Sequence, residues 1–496
     1  MGYPAMMWWS TAITLIGSFQ YGYHLGILNT CLVHMAAELG FKETGVGALI
    51  TCILLIGATF GSAFAGGVAD RYGPRTALSL CAIPMAIGSV LCALPRDASQ
   101  LWVLLVGRTV AGVGVGAVSV YAPRYLAETS ADAVRGALGT MNQVTMNVGI
   151  MIAYVIGLPY SSGVETHRLP LFGEVYWWRA MLGAAVVPAL VQLFGMTICP
   201  ESPVWLEWKG RREEAKDALV ALHGPELAAE EIEAMAGVDF ANPAGEPLLG
   251  QIEQLASTQS GLASALSEYQ FAEQQTGMGA VFAPQYSLVL LLAGTLQAMQ
   301  QTSGINTLVF YSSKVFAGMA NPILGSIAVG AMNSTMTVFS GLLVDRAGRK
   351  PLMLVSCSGM AVCLSLMSLL PFVGLEGRAA SNAMLGIILV YVSFFALGAG
   401  PIPRLYGAEI IPPEIKGHMQ ALTTAINWIA TLAVGFTFPA MIQAFGVAGA
   451  YLFYAALNVL GVLFVSRYMV ETKQRSLVEI RSLLVKEPAP EDTRGW

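Results

Sequence analysis

Charge is what this chain has least of. Of its 496 residues, 26 are Lys or Arg and 31 are Asp or Glu, 11% in all, where soluble domains carry about 25%. That shortage excludes an ordinary soluble globular domain, and the small formal net charge of −5 gives no nucleic-acid-binding signal. No nucleophile–base–acid constellation, phosphate loop or metal cluster is present, so neither an enzyme nor a bound metal or cofactor is expected. The seven cysteines (Cys31, Cys52, Cys81, Cys92, Cys199, Cys357, Cys363) are scattered, mostly within apolar runs. They show no disulfide or metal-ligand spacing and read as small core residues. No basic n-region precedes the first apolar run, so no cleavable signal or transit peptide is expected. The single N-x-S/T sequon, Asn333-Ser334-Thr335, falls inside an apolar segment, where glycosylation is not expected.

What the chain has instead is long apolar runs: 55% of its residues are hydrophobic and the mean hydropathy is +0.62. A bilayer span needs about 20 apolar residues. Twelve are expected, at roughly 8–29, 46–69, 77–94, 101–126, 137–160, 177–198, 285–313, 322–344, 352–374, 383–408, 418–443 and 446–468. The fold class is therefore an all-α, twelve-span membrane protein. Its organisation reads as a six-helix half over 1–203, a polar insert over 204–284, a second half over 285–468 and a tail over 469–496. The insert contains "EWKGRREEAKDALVALHG", "AAEEIEAMAG" and "GLASALSEYQFAEQQ", which read as short amphipathic helices on the membrane surface.

Cations fall on one side. The loops leaving the even spans hold Arg71, Arg75, Arg135, Lys209, Arg211, Arg212, Lys216, Arg346, Arg349 and Lys350, and the tail adds Lys473 and Arg475. Only isolated cations such as Lys42, Arg96, Arg168 and Arg378 lie opposite, which predicts cytoplasmic termini. Motifs also repeat across the insert. "GVADRYGPR" matches "LLVDRAGRK", with Asp70 and Asp345 offset by 275. Glu128 and Arg135-Gly136 match Glu409 and Lys416-Gly417, with an offset of 281 between the glutamates, and "ESP" at 201–203 echoes "ETK" at 471–473, offset by 270. Near-constant offsets mean two homologous six-span halves, the parallel repeat of a rocking secondary transporter.

Those loop motifs, with "PESPVWL", "VETKQRSL", "QQTSGIN" and "GAGPIP", occur in order along nearly the whole chain. Together they closely resemble the sugar porter (GLUT-like) family of the major facilitator superfamily. The resemblance implies transport of a monosaccharide, a hexose of the glucose kind, by alternating access, with a sugar, the bilayer and, for coupled members, protons as partners. A single chain is expected to suffice. It implies that Asp70, Arg71, Arg75, Glu128, Arg135, Glu201, Asp345, Arg346, Arg349, Glu409, Lys416 and Glu471 form charge networks that clasp the halves and break as the inner side opens. An ion pair at such a semi-wet boundary is stronger than in bulk water.

A sugar is an uncharged polyol, so its recognition calls for side chains that both donate and accept in a midplane cavity. The resemblance places sugar-binding residues at Gln143, Gln300, Gln301, Asn306, Asn333, Asn427 and Trp428. The bland alternative is that intramembrane amides join helices to each other. "GAGPIP" in span 10 breaks the backbone ladder and marks a hinge. Three positions depart from the family: Ala396 stands where many members have Glu, Val204 where they have Arg, and Arg404 where animal facilitators have an aromatic residue. Arg404 is expected to snorkel and pair with Glu409. Otherwise it lines the inner cavity, admitting an acidic sugar derivative or lowering hexose affinity.

The coupling position of proton symporters is an Asp in span 1, paired with a span-4 Arg. Here those places hold His24, in "YGYHLGIL", and Arg108. A neutral imidazole hydrogen-bonds within a bundle without a charge penalty, which favours facilitated diffusion. Proton-coupled transport of a sugar, polyol or myo-inositol through His24 stays open, since His titrates near neutrality. A non-transporting sugar sensor is the further alternative, disfavoured by the short tail. The membrane, whether plasma, vacuolar or plastid envelope, is left undecided.

Overall fold

The computed structural model describes residues 3–163, 165–169, 173–229, 278–316, 321–412, 415–473, 475 and 477–484. Among these, nine helical stretches are apolar and long enough to cross a bilayer. The last of them, Gly417–Tyr468, is two spans joined at Gly446, whose φ of 71° and ψ of 174° turn the chain in one residue. Span 1 (Ala5–Leu39) and span 7 (Ser287–Thr302 with Ile305–Val315) lie outside that count, span 1 carrying Ser, Thr, Gln, His and Asn along its length, span 7 being broken. With these, twelve spans are present. Spans 6 and 10 are also built from two helices each, Trp177–Ala184 with Val186–Ile198, and Gly377–Leu397 with Ile402–Ile410.

Large apolar side chains such as Phe60, Phe64, Trp102, Phe194, Leu342 and Phe445 face outward, the surface a bilayer would cover. Polar side chains such as Gln20, Gln192, Gln300 and Asn427 are inside. All seven cysteines are buried and free.

Spans 2 (Ala48–Tyr72) and 4 (Leu101–Thr129) cross at contact distance because glycines face each other. A Cβ added at Gly57 would stand 2.2 Å from the Thr109 carbonyl oxygen, and one at Gly61 2.1 Å from that of Val113. From the other side, Gly112 and Gly116 would meet the Leu54 and Ala58 oxygens at 2.1 and 2.0 Å. Both pairs are spaced four residues apart, the small-xxx-small pattern that lets membrane helices touch backbone to backbone.

The halves meet at spans 1 and 7, 2 and 11, and 5 and 8. On the face away from the charged loops, Asn29 and Tyr154 of the first half both donate to the Val309 carbonyl, each at 3.0 Å. That face also carries a short hairpin, Thr166–Leu169 paired antiparallel with Gly173–Tyr176, which periodicity over four residues is too short to announce.

On the charged face, the helices Pro203–Trp208 and Arg212–His223 of the insert dock onto the first half. Trp205 Nε1 donates to the Asp70 carbonyl at 3.0 Å, and Leu222 packs with Met7 and Ala131. These contacts hold them against the first half. The remaining insert helices expected from the sequence fall on 230–277, outside the described residues, apart from Ala228 and Ala229. In the tail a helix spans Leu477–Leu484.

Candidate central cavity

Two broken helices shape the centre of the bundle. In span 7 the break falls at Ser303-Gly304, where Gly304 has a φ of +100°, a conformation that suits glycine. The Ser303 carbonyl freed from the helix is taken by Tyr391 Oη and by Asn458 Nδ2, each at 3.1 Å. In span 10 the break falls at "GAGP". Ser356 Oγ accepts from the Ala399 N–H at 2.9 Å, and Gln300 Nε2 donates to the Gly400 carbonyl. Irregular backbone at this depth survives because each freed group finds a partner.

Between the halves lies a cavity with about 560 Å³ of space between its lining atoms, part of it open to solvent. It brings together Gln143 from span 5, Gln300, Gln301 and Asn306 from span 7, Asn333 from span 8 and Trp428 from span 11. Asn427 sits behind this lining and holds it. Its Oδ1 accepts from Gln301 Nε2 at 2.9 Å, and Asn306 Nδ2 donates to Gln301 Oε1 at 2.5 Å. The two Asn427 amide protons face three acceptors, Gln297 O, Gln297 Oε1 and Gln300 Oε1, at 3.1, 2.9 and 2.8 Å. The second half thus presents a connected amide wall, its members joined to each other as well as turned to the cavity.

The first half presents a looser wall. The nearest partner of Gln143 Nε2 is the Met146 sulfur at 3.9 Å, a weak acceptor. Asn147 donates to Thr337 Oγ1 at 3.1 Å while its buried Oδ1 has no hydrogen-bond partner among the described residues. Tyr21 packs its ring 5.5 Å from that of Trp428, making one aromatic patch across the two halves. Tyr21, Asn147, Gln297, Phe395 and Thr431 were not read from the sequence. Asn147 and Thr431 lie four residues beyond Gln143 and Asn427, the helical spacing that could have found them.

His24 is elsewhere. It is 3% exposed, absent from the cavity lining, and turned toward span 4. Arg108, 2% exposed, donates from NH1 to the His24 carbonyl at 3.2 Å, and His24 Nε2 has no hydrogen-bond partner among the described residues.

The charged face holds two networks. In the first half Arg124, which the sequence reading passed over, joins Glu128 at 2.9 Å and Asp70 at 2.9 Å. Glu201 accepts from the Arg75 N–H at 2.8 Å, with the Arg75 Nε at 4.0 Å. Arg135 donates to the Ala127 and Ser130 carbonyls, and Arg71 lies over the Tyr72 ring. In the second half Arg349 binds Glu409 through Nε and NH2 at 3.0 and 2.8 Å, and Thr472 donates to the same carboxylate. Glu471 accepts from the backbone of Arg349, Lys350, Thr472 and Lys473, and the Arg346 carbonyl accepts from Lys473 Nζ. Asp345 and Lys416 have side chains outside the described set.

The two glutamates at the PESP and ETK motifs occupy equivalent cradles. Gly73 and Gly348 each have a φ of +92°, and a Cβ there would stand 2.4 Å from Glu201 Oε2 or 2.7 Å from Glu471 Oε2. Each carboxylate therefore fills space only glycine leaves, at the N-terminus of the following helix. Burial raises the pKa of Glu201; at Glu471 burial acts the same way but four backbone donors outweigh it and the pKa is lowered.

Arg404 corrects the expectation drawn for it. Glu409 is held by Arg349 and Thr472, and the Arg404 guanidinium instead lines the cavity and reaches the Tyr21 hydroxyl at 3.5 Å. Arg404 and Glu409 are five residues apart, which turns them about 140° around their helix.

A profile of the family described as "Sugar (and other) transporter" matches residues 10–484. The chain belongs to the sugar transporter family. Among its relatives, "Plastidic glucose transporter 4" of Arabidopsis thaliana is 36% identical over 95% of this chain and 79% of its own length. "Solute carrier family 2, facilitated glucose transporter member 3" of Rattus norvegicus is 31% identical over 96% of this chain and 92% of its own. The solved structure of the proton:xylose symporter XylE with 6-bromo-6-deoxy-D-glucose aligns with a TM-score of 0.78, at 24% identity, over 97% of this chain and 99% of that one. This sugar transporter family member is thus an integral, multi-pass membrane protein with the twelve-span major facilitator fold.

Proposed function

We propose that this protein carries a hexose of the glucose class across its membrane by alternating access, as a facilitator rather than a proton symporter, and works as a transporter rather than an enzyme or a sensor. The observation that supports it most is the central cavity: amides from both halves and an aromatic pair face one space, the chemistry a polyol needs. Gln143, Gln300, Gln301, Asn306, Asn333 and Trp428 are assigned to sugar contact, with Asn427 holding the amide wall. The face with Asn29, Tyr154 and Val309 is assigned to the outside, where their bonds close the cavity, and the charged loops and both termini to the cytoplasm. The charge networks on that inner face are assigned to gating, since a few kcal/mol separate the states of a bistable element. The plastidic relatives make an envelope membrane one location consistent with this reading.

Facilitation is supported by the surroundings of His24. A proton carrier must cycle through its charged form, and here protonation would set a second cation beside buried Arg108, away from the sugar cavity. Purified protein in liposomes tests both parts. Counterflow of labelled glucose is expected, which a sensor would not give. Uptake is expected to be the same with and without an imposed inward proton gradient and to persist in His24→Asn. A several-fold increase by the gradient, lost in His24→Asn, would establish symport instead.

A further inference from the structure

Among the described residues, the one charged side chain lining the central cavity is Arg404. Its presence there has a cause in the repeat. "PRYLAE" (123–128) in span 4 corresponds to "PRLYGAE" (403–409) in span 10, so Arg404 is the counterpart of Arg124. In the first half Arg124 and Glu128 are four residues apart on one helix face and form an ion pair, and Asp70 closes the triad. In the second half one residue is inserted between arginine and glutamate, which rotates the carboxylate away. A substitute cation, Arg349, stands where the first half has Pro74, and it takes Glu409. Arg404 is left with no ion pair among the described residues and with its guanidinium beside Tyr21, at one end of the Tyr21–Trp428 aromatic patch. It is half-buried and stands on the cavity lining. Gln300, four residues upstream of Gly304, bonds the Gly400 carbonyl one helical turn before Arg404, placing the amide wall and the cation on the same lining.

We propose that this cavity selects a monosaccharide bearing an anionic group, a carboxylate or a phosphate, whose sugar ring meets the amide wall and the aromatic patch while its anion bonds the Arg404 guanidinium. The proposal rests on the monosaccharide reading above and narrows its substrate class. An arginine fork matches either oxyanion in a bidentate manner, and where the other described lining residues are uncharged the anion supplies the counter-charge that Glu128 and Asp70 supply to Arg124.

The test uses the full chain in liposomes and reads inhibition of labelled-glucose counterflow by D-glucuronate, by its uncharged methyl ester and by glucose 6-phosphate, together with counterflow of labelled glucuronate itself. In the wild type an anionic sugar is expected to inhibit about tenfold more strongly than the ester, the scale of one charge-assisted hydrogen bond. That ratio is expected to fall to near one in Arg404→Gln and to return in part in Arg404→Lys, which keeps the charge but not the fork. Size-exclusion profiles report folding of each variant, and the ratio is read within each. The more potent of glucuronate and phosphate names the anion. Acid and phosphate no better than ester, with glucose counterflow intact, would overturn this inference alone, as would a ratio that survives in Arg404→Gln. Exchange of glucuronate without exchange of glucose would uphold it and discard the glucose reading. Exchange of neither sugar would discard both.

Discussion

The two halves share a plan but differ in how their helices are built. In the first, spans 1 and 4 run unbroken, Ala5–Leu39 and Leu101–Thr129, and spans 2 and 4 touch backbone to backbone through Gly57, Gly61, Gly112 and Gly116. In the second, the repeat counterparts, spans 7 and 10, are each cut at mid-depth, at Ser303-Gly304 and at Gly398–Pro401. One half is zipped and the other is jointed. Gln300, Gln301 and Arg404 sit beside the joints, so residues proposed for recognition lie next to the breaks in the helices, while the first half packs backbone to backbone.

The difference breaks most sharply under identical substitutions. Gly116→Ala puts a Cβ 2.0 Å from a backbone oxygen that cannot step aside, and is expected to cost at least about 2 kcal/mol. Gly400→Ala meets the Phe395 ring and carbonyl at 3.3 Å, a tight contact that a small shift relieves, and is expected to lower thermal unfolding in detergent less than Gly116→Ala while slowing exchange. Equal destabilisation by both would dissolve the contrast.

Next in size are the cavity walls. Asn427→Ala removes the hub of the second half's amide wall and is expected to raise KM for glucose about tenfold or more; Gln143→Ala, from the looser wall, only several-fold. Both are read in counterflow, and the reverse order would assign recognition to the first half. Arg349→Gln is expected to lower the maximal exchange rate with KM nearly constant, since the bond it breaks lies at Glu409 and outside the cavity. A change confined to KM would remove the gating assignment.

The smallest effect is the most specific. Glu201 has a raised pKa, so the folded state favours its protonated form, and that contribution disappears as pH rises above the ordinary carboxylate value through the folded one. Glu471 has a lowered pKa, so its contribution is present above the ordinary value and is lost as pH falls through the folded one. Thermal unfolding of Glu471→Gln is expected to fall furthest below wild type near pH 7 and to converge with it in acid. For Glu201→Gln the deficit is expected to shrink as pH rises. Parallel curves would show that the two cradles are electrostatically alike.

Much of this was legible before any coordinates. Twelve spans follow from apolar run length, and the repeat from motif offsets. The amides of "QQTSGIN" and "NW" stand out because polar side chains in a span need a reason. What periodicity could not show was long-range choice. Arg124 reaches Asp70 across 54 residues, and only folding decides that Glu409 goes to Arg349 rather than to its helix neighbour Arg404. The i, i+4 spacing of Arg124 and Glu128 was a visible signal; the i, i+5 spacing of Arg404 and Glu409 was the visible warning. The hairpin at 166–176 stayed hidden because strands of four residues carry too little pattern.

The contact between the halves at Val309, proposed above as the outer closure, carries one more consequence, for how this surface can drift. Asn29 and Tyr154 bond the main-chain oxygen of residue 309, not its side chain. Every amino acid offers the same oxygen, so the second half can exchange its residue there without losing the lock. Loss of these two bonds by sequence change therefore falls on the donors, and the pair Asn29 and Tyr154 is where a homologue lacking them would be expected to differ.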